Sequence, residues 1–508
     1  MNATRRHLLQ TALALGAAPA FSRFAFAADV DRFPLGLASG CPRPGGVVLW
    51  TRLIGTDLPE QVAVQWELAS DEGFRQIVAK GTETAEAAWA HSIHAEPTGL
   101  SPGRWYWYRF TAMGSRSITG RTRTAPAPDA GEPLRFATAS CQRWDHGEYA
   151  AWRDMATQEL DLVLFLGDYI YEYAASSAPA GATRRHSGGA ARSLDDYRAR
   201  HAQYKSDPYL RAMHARAPWI ITWDDHEIAN DYAPGRAQDL DPNFEPRRAA
   251  ATQAYWEHLP FPKSARPRGT ETRIHAHYDW GSLARLITLD NRQWRDPQAC
   301  PKPGRAGSNT VYLKDCEALR DPRRSLLGGA QERWLAQSWD ASRPWNLLGQ
   351  QSLMARYSWT DPAGPNGPQY WTEGWDGYPL ARQRLLGDML AAKAGNPVVL
   401  GGDVHANYVA DLKQDFDAAK AATIATEFCG TSISSHGLAN DKVQSALPWN
   451  THLHYARSDQ RGYTLFDLNK QRLTAELRTV DDAMNAQSPV SVEKRFVVEA
   501  GKPGSQSA

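Results

Sequence analysis

Leu162-Val163-Leu164-Phe165-Leu166-Gly167-Asp168-Tyr169-Ile170-Tyr171 sets an unbroken apolar run against a polar end. Five consecutive apolar residues closed by a glycine read as a short buried strand rather than a helix. A carboxylate and a phenol follow at once. In α/β sheets that position, beyond the carboxyl end of a strand, is where ligands sit.

Reading outward, similar apolar runs at 134–140, 219–223, 286–289, 345–348 and 398–400 are strand candidates. They alternate with helix candidates at 149–160, 194–217, 247–258, 330–341 and 380–392. The alternation predicts an α/β domain with covered sheets over 134–490. Its strand ends share one chemical theme. They are Ser140-Cys141, Gly167-Asp168 through Tyr171, Trp223-Asp224-Asp225-His226-Glu227, Asp290-Asn291-Arg292, and Gly401-Gly402-Asp403-Val404-His405. Brought together without cations, Asp168, Asp225 and Asp403 would repel and in part stay protonated. Bound metal ions remove that conflict. Asp403 and His405 are two apart, so in extended backbone they face one side. Asp168 and Tyr171 converge if the chain turns after the strand.

Residues 29–125 read differently. Val62, Val64, Trp66 and Leu68 alternate with less apolar neighbours, as a half-buried strand does, and Val47-Val48-Leu49-Trp50 and Ile77-Val78 are further strands. Leu100-Ser101-Pro102-Gly103-Arg104-Trp105-Tyr106-Trp107-Tyr108 has the spacing of a tyrosine corner. These features predict a fibronectin-like β-sandwich, with an Ala- and Pro-rich linker at 122–133.

Residues 1–28 read as an address. Thr4-Arg5-Arg6-His7-Leu8-Leu9 precedes a short apolar run and Ala25-Phe26-Ala27, a small-x-small cleavage pattern. The segment resembles a twin-arginine export signal, which implies the twin-arginine machinery as a partner and a periplasmic or secreted protein. The alternative is an ordinary secretion signal with two arginines. No other stretch approaches the roughly 20 apolar residues of a membrane span. Lys+Arg is 57 against Asp+Glu 56, so the basic excess of a general nucleic-acid binder is absent. Export favours disulfides. Cys300 and Cys316 bracket a Pro/Gly-rich stretch that a bridge would close. Cys41, Cys141 and Cys429 are left over, and whether Cys41 pairs with Cys429 stays open.

The succession GDxxY, DDHE and GGDxH resembles the calcineurin-like metallophosphoesterases. With Phe33-Pro34-Leu35-Gly36-Leu37-Ala38-Ser39-Gly40, Val48-Leu49-Trp50-Thr51-Arg52, Leu289-Asp290-Asn291-Arg292 and Gly328-Gly329-Ala330-Gln331-Glu332-Arg333-Trp334-Leu335, the match is to the alkaline phosphatase D (PhoD-like) family across essentially the whole mature chain. The resemblance implies a four-layer β-sandwich flanked by helices. It also implies ferric iron (Fe3+) held by Cys141, Asp168, Tyr171 and His405, and calcium (Ca2+) at Asp168 with Asp225 and Asp403 among its ligands. Thiolate, phenolate and imidazole suit iron, and carboxylates suit calcium. His226 matches the histidine that meets the phosphate. Asp224, Glu227, Asn230 and Asp231 are near enough to support or replace ligands. Arg292 either pairs with phosphate or forms a structural salt bridge.

The expectation is a secreted phosphatase acting on small phosphate esters. A phosphodiesterase or phospholipase D-like enzyme on the same core is the alternative. A binding module that has lost catalysis, and a serine nucleophile at Ser39, Ser140 or Ser432, are weaker rivals.

Overall fold

The computed structural model describes residues 30–418 and 420–508, so the export segment expected over 1–28 lies outside the described residues. Two large sheets carry the molecule. The first runs in the order Gln506–Ser507, Val490–Glu499, Arg472–Val480, Arg461–Leu468, Leu134–Ala139, Leu162–Leu166, Trp219–Thr222, Leu37–Arg43, Gly46–Arg52, Ser92–Ala95. The second runs Ala276–Trp280, Ala284–Thr288, Trp345–Gly349, Pro397–Gly401, Thr423–Cys429, Asn407–Lys413, Leu453–Arg457. The fully buried strands lie at the centre and pair in parallel. Leu162–Leu166 sits between Leu134–Ala139 and Trp219–Thr222, and Trp345–Gly349 sits between Ala284–Thr288 and Pro397–Gly401. Parallel strands are covered on both faces, which is why these segments lack polar alternation.

The sheets pack on each other through Leu164, Leu286, Leu347, Val398, Phe428 and Phe466. Phe136 stacks on Phe466 at 4.8 Å. Each such side chain contributes about 1.5–3 kcal/mol when fully buried. The outer face of the first sheet is covered by helices, among them Ala150–Met155 and Phe244–His258, through Trp152, Trp219 and Tyr255. Gly328–Ala336 and Pro379–Ala391 cover the second through Leu335, Leu385 and Leu386. The result is the expected four-layer arrangement. The single helix expected over 194–217 is two, Leu194–Lys205 and Pro208–Arg216. Asp207 caps the second, and Pro208, which has no N–H to give, is tolerated only in a first turn.

At the N-terminus, strands Ile77–Glu86, Gln61–Ala69, Trp105–Ala112 and Gly120–Arg123 form a separate sheet. Val62, Val64 and Leu68 face inward onto Leu37, Leu49 and Ile93. The tyrosine corner is present, with the Ser101 amide donating to Tyr106 Oη at 3.0 Å. The opposing layer is not private to this sandwich. Its strand Leu37–Arg43 pairs in parallel with Trp219–Thr222 at Gly40, so it also continues the first large sheet. A Cβ at Gly40 would lie 2.8 Å from the Trp219 carbonyl, and only glycine permits that approach. The stretch expected as a linker is pinned at both ends. The Ala125 amide donates to Arg43 O at 3.1 Å, and Trp280 Nε1 donates to Pro133 O at 3.1 Å. Asp31–Ala508 is accordingly one compact unit.

Cys300 and Cys316 are disulfide-bonded. Cys41 and Cys429 are not paired with each other. Cys41 sits 3.4 Å from Tyr278 Oη, and Cys429 Sγ donates to Gly402 O at 3.2 Å. Among the described residues, no helix is long and apolar enough to cross a membrane.

Candidate functional site

The strand ends converge because the chain turns sharply there. Cys141, Asp168, Asp231, Asp403 and His405 all have positive φ, between 52° and 64°. That region is uncommon for residues with a Cβ, and such backbone strain gathers at functional sites. Glycines make the turns close. A Cβ on Gly167 would lie 2.6 Å from Asp224 Cβ, and one on Gly402 would lie 2.5 Å from Ser140 Oγ. Asp403 and His405 therefore meet the site through left-handed turns, not through the extended backbone expected from their spacing.

Three groups of donors result. One atom each from Cys141, Asp168 and His405 lie within 4.8 Å of one another, and the same holds for Asp168, Asp225 and His226, and for Asp225, Asp231 and Glu373. Asp168 links the first group to the second, and Asp225 links the second to the third. Tyr171 belongs with the first group, donating from Oη to Asp168 Oδ2 at 2.7 Å and lying 3.2 Å from His405 Nε2. His405 Nδ1 donates to His436 O at 2.7 Å, which leaves Nε2 free to ligate. Ser435 Oγ bonds Tyr171 Oη at 2.8 Å. Asp403 stands outside these groups but lines the same cleft, and its Oδ2 is buried with no hydrogen-bond partner.

The electrostatics carry the conflict expected where many carboxylates share one buried site. Burial pushes Asp168 and Asp403 well above the usual carboxylate range, and the neighbouring carboxylates add to it. Burial likewise raises Asp224 and Glu227 to about 7 and Asp231 to about 6. Burial also opposes the charge on Asp225, yet Arg292 and His226 hold it below the ordinary value. His405 is lowered to about 3 by burial and is neutral, as a ligand must be. Burial disfavours the charge on His226, but Asp225, Tyr173, Glu172 and Asp168 outweigh it and keep the imidazolium. A dense set of oxygen donors, one with an orphaned buried oxygen, beside thiol, phenol and neutral imidazole, fits hard cations next to a softer one.

Arg292 does not meet the cleft. It is 1% exposed, with Nε bonding Asp224 Oδ1 at 2.5 Å, Nη1 bonding Glu373, and Nη2 lying 3.6 Å from Asp225 Oδ1. Of its two readings, the geometry supports the structural salt bridge. Glu227 is also structural, accepting the amides of Asp224 at 2.8 Å and Asp168 at 3.2 Å. Asp231 N donates to Asp225 Oδ2 at 2.7 Å, and Asn230 lines the cleft. Ser140 accepts from Cys141, and Ser432 donates to the Ser435 carbonyl, so neither is activated by a base. Glu172, Glu373, Ser435 and His436 escaped the sequence reading. Glu172 directly follows the GDxxY block, and Glu373 lies in the aromatic run Trp371-Thr372-Glu373-Gly374-Trp375. Ser435 and His436 carried no local signal.

The cleft beside these groups has a volume of about 670 Å³. A larger cavity, about 810 Å³, lies between the N-terminal strands and Ala276–Trp280 and contains none of these donors.

Residues 136–477 match the family described as PhoD-like phosphatase, and residues 17–126 match its N-terminal domain. The chain is 40% identical over 509 residues to alkaline phosphatase D of Bacillus subtilis (strain 168), covering 97% of this chain and 84% of that protein. A solved structure of PhoD superposes with a TM-score of 0.88 at 39% identity, covering 97% of this chain and 93% of that one. The purple acid phosphatase PPD1 from yellow lupin (Lupinus luteus) seeds superposes with a TM-score of 0.55 at 14% identity, covering 91% and 73%, a likeness of fold alone.

Proposed function

The chain belongs to the PhoD-like phosphatase family, and from that premise we propose that it is an exported, metal-dependent alkaline phosphatase that hydrolyses phosphate monoesters by direct attack of water. The observation that carries the metal dependence is the linked set of donors running from Cys141 through Asp168 and Asp225 to Glu373. Cys141, Asp168, Tyr171 and His405 would hold ferric iron. Asp168, Asp225 and Asp403 would hold calcium, with Asp231 and Glu373 as further oxygen donors. Cations bound there would polarise the phosphoryl oxygens and lower the pKa of a coordinated water.

The chain's own groups complete the reaction. His226 Nδ1 donates to Glu172, so Nε2–H is the proton free for the substrate. It would bind a phosphate oxygen or protonate the departing alcohol. Asp168, Asp225, Asp231 and Asp403 all line the cleft, and ionised together they would repel a phosphate ester unless cations neutralised them. The twin-arginine-like leader supports export to the periplasm or beyond, where the enzyme would release phosphate for uptake.

Phosphodiester hydrolysis is the second reading, favoured by a cleft with room for a second ester group. A metal inventory on protein from its exporting host, with hydrolysis of p-nitrophenyl phosphate and bis-p-nitrophenyl phosphate before and after chelation, tests both. Full activity after complete chelation would overturn the metal-dependent reading. A higher kcat/KM on the diester would overturn the monoesterase reading.

A further inference from the structure

A phosphoryl group needs little of the 670 Å³ cleft. Its size is that of pockets enclosing whole small molecules, roughly 300–1,000 Å³. Its lining falls into two chemical sets. One presents Asp168, Asp225, His226, Asp403 and His405. The other presents Tyr357, Trp359, Trp371 and Tyr408. None of these aromatic residues belongs to a donor group or bonds to one.

The aromatic wall is fixed in place. Tyr357 is buried, its Oη donates to Val443 O at 2.9 Å, and its ring meets Trp359 edge-on at 4.7 Å. The Trp359 amide donates to Gln369 O at 2.9 Å. Trp371 lies on the strand Gln369–Trp371, which pairs with Thr310–Tyr312 from the disulfide-closed loop. Trp359 and Trp371 are only half-buried and keep part of their surface in the cleft. At the rim, Lys442 Nζ lies 4.9 Å from the centre of the Trp359 ring. Among the described residues lining the cleft, Lys442 is the sole lysine or arginine. Rigid indoles beside an ionic centre hold little water favourably, and a planar ring covering them recovers that cost.

The geometry points to a leaving-group subsite in which Trp359 and Trp371, with Lys442 at the rim, take a planar ring carried by the alcohol half of the ester. Nucleoside phosphates are thus the preferred substrate class over alkyl or sugar phosphates. The inference rests on the phosphatase reading above. Lys442 supplies a donor to a ring carbonyl or ring nitrogen.

Adenosine 5′-monophosphate and ribose 5-phosphate test it, because they share the same primary ester and differ at the anomeric carbon, which carries adenine in one and a hydroxyl in the other. On the metal-loaded enzyme as purified, kcat/KM should favour the nucleotide by roughly 5- to 100-fold, the range of a base stacked on an aromatic side chain. The ratio should fall toward one in Trp359→Ala and in Trp371→Ala, chiefly through KM for the nucleotide, and Trp359→Phe should restore part of it. Equal kcat/KM for the two compounds in the wild type, or an unchanged ratio in both alanine variants, overturns the subsite. If neither ester nor p-nitrophenyl phosphate is turned over, the phosphatase reading has failed separately. Equilibrium binding of the same two compounds, followed by tryptophan fluorescence, then decides. Tighter binding of the nucleotide upholds the subsite, and equal binding overturns it.

Discussion

Glu172 Oε2 lies 2.8 Å from His226 Nδ1, and Oε1 of the same carboxylate accepts the Asn230 amide at 2.8 Å. The contact fixes which imidazole nitrogen faces the cleft. The imidazole also stacks on Tyr171 at 4.1 Å, so its plane is set as well. A positioned acid of this kind contributes about 10²- to 10⁴-fold. His226→Ala should therefore retain its metals and lose rate on that scale. The loss should be least with nitrophenolate, which departs without a proton. Glu172→Gln should lose less, roughly tenfold, and should show the same dependence on the leaving group. Rates across a series of leaving groups check this, and an equal loss for all of them would remove His226 from the proton transfer.

Tyr171 and Cys141 meet the same carboxylate and imidazole. A ferric ion held by a phenolate and a thiolate absorbs visible light by charge transfer. The purified enzyme is expected to be coloured, with Tyr171→Phe and Cys141→Ser each shifting or removing the band. Absorption spectra beside elemental analysis check this. A colourless, fully active enzyme that contains calcium alone would sink the iron assignment.

The strand ends were legible because parallel strands buried on both faces are written as unbroken apolar runs, against which the polar residues at their ends stand out. Leu162–Leu166 has the expected bounds, and Cys141, Asp168, Tyr171 and His405 do converge. Legibility failed where the partner comes from far along the chain. Glu373 reaches the site across an irregular segment, and Ser435 and His436 arrive on a loop that Arg461 pins through Ser432 Oγ at 2.8 Å. Nothing local marks such residues. The C-terminal strands were missed for a related reason. Arg472–Val480 alternates buried with partly exposed residues, Val490–Glu499 buries only Phe496 and Val498, and about half of their positions are charged or polar. The double role of Leu37–Arg43 was hidden too, because a strand's sequence does not state which sheet its free edge will join.

The disulfide closes a loop that carries Ser308, whose amide and Oγ donate to Asp231 Oδ2 at 2.9 and 2.6 Å. Opening a loop of this length should cost about 3 kcal/mol. The paired substitution Cys300→Ser and Cys316→Ser is thus expected to lower Tm by several degrees. It should also loosen Asp231 and weaken metal retention. Thermal melts with and without reductant, read beside metal content, check both effects. An unchanged Tm would show that the bridge does not constrain this segment.

Glu427 gives a prediction about pH that is independent of the metal groups. It is fully buried on Thr423–Cys429, and its two carboxyl oxygens accept the amides of Met354 at 2.6 Å and Ala355 at 2.7 Å. Burial pushes its pKa up to about 8, and the two amide hydrogen bonds only partly offset this. The folded state therefore keeps a proton that the unfolded chain releases near the ordinary glutamate value, about 4.3. Between those two values the native state binds more protons than the unfolded state, so stability falls as pH rises. The full contribution is present below the unfolded value and is lost by the time pH passes about 8. A single proton gives a slope of at most about 1.4 kcal/mol per pH unit. Glu427→Gln mimics the protonated acid in shape and cannot titrate. The expected outcome is that the Tm of the wild type declines relative to this variant from pH 5 to pH 8 and then runs parallel to it. Parallel curves across the whole range would mean that Glu427 is ionised in the folded protein, stabilised as a carboxylate by the two amides it accepts.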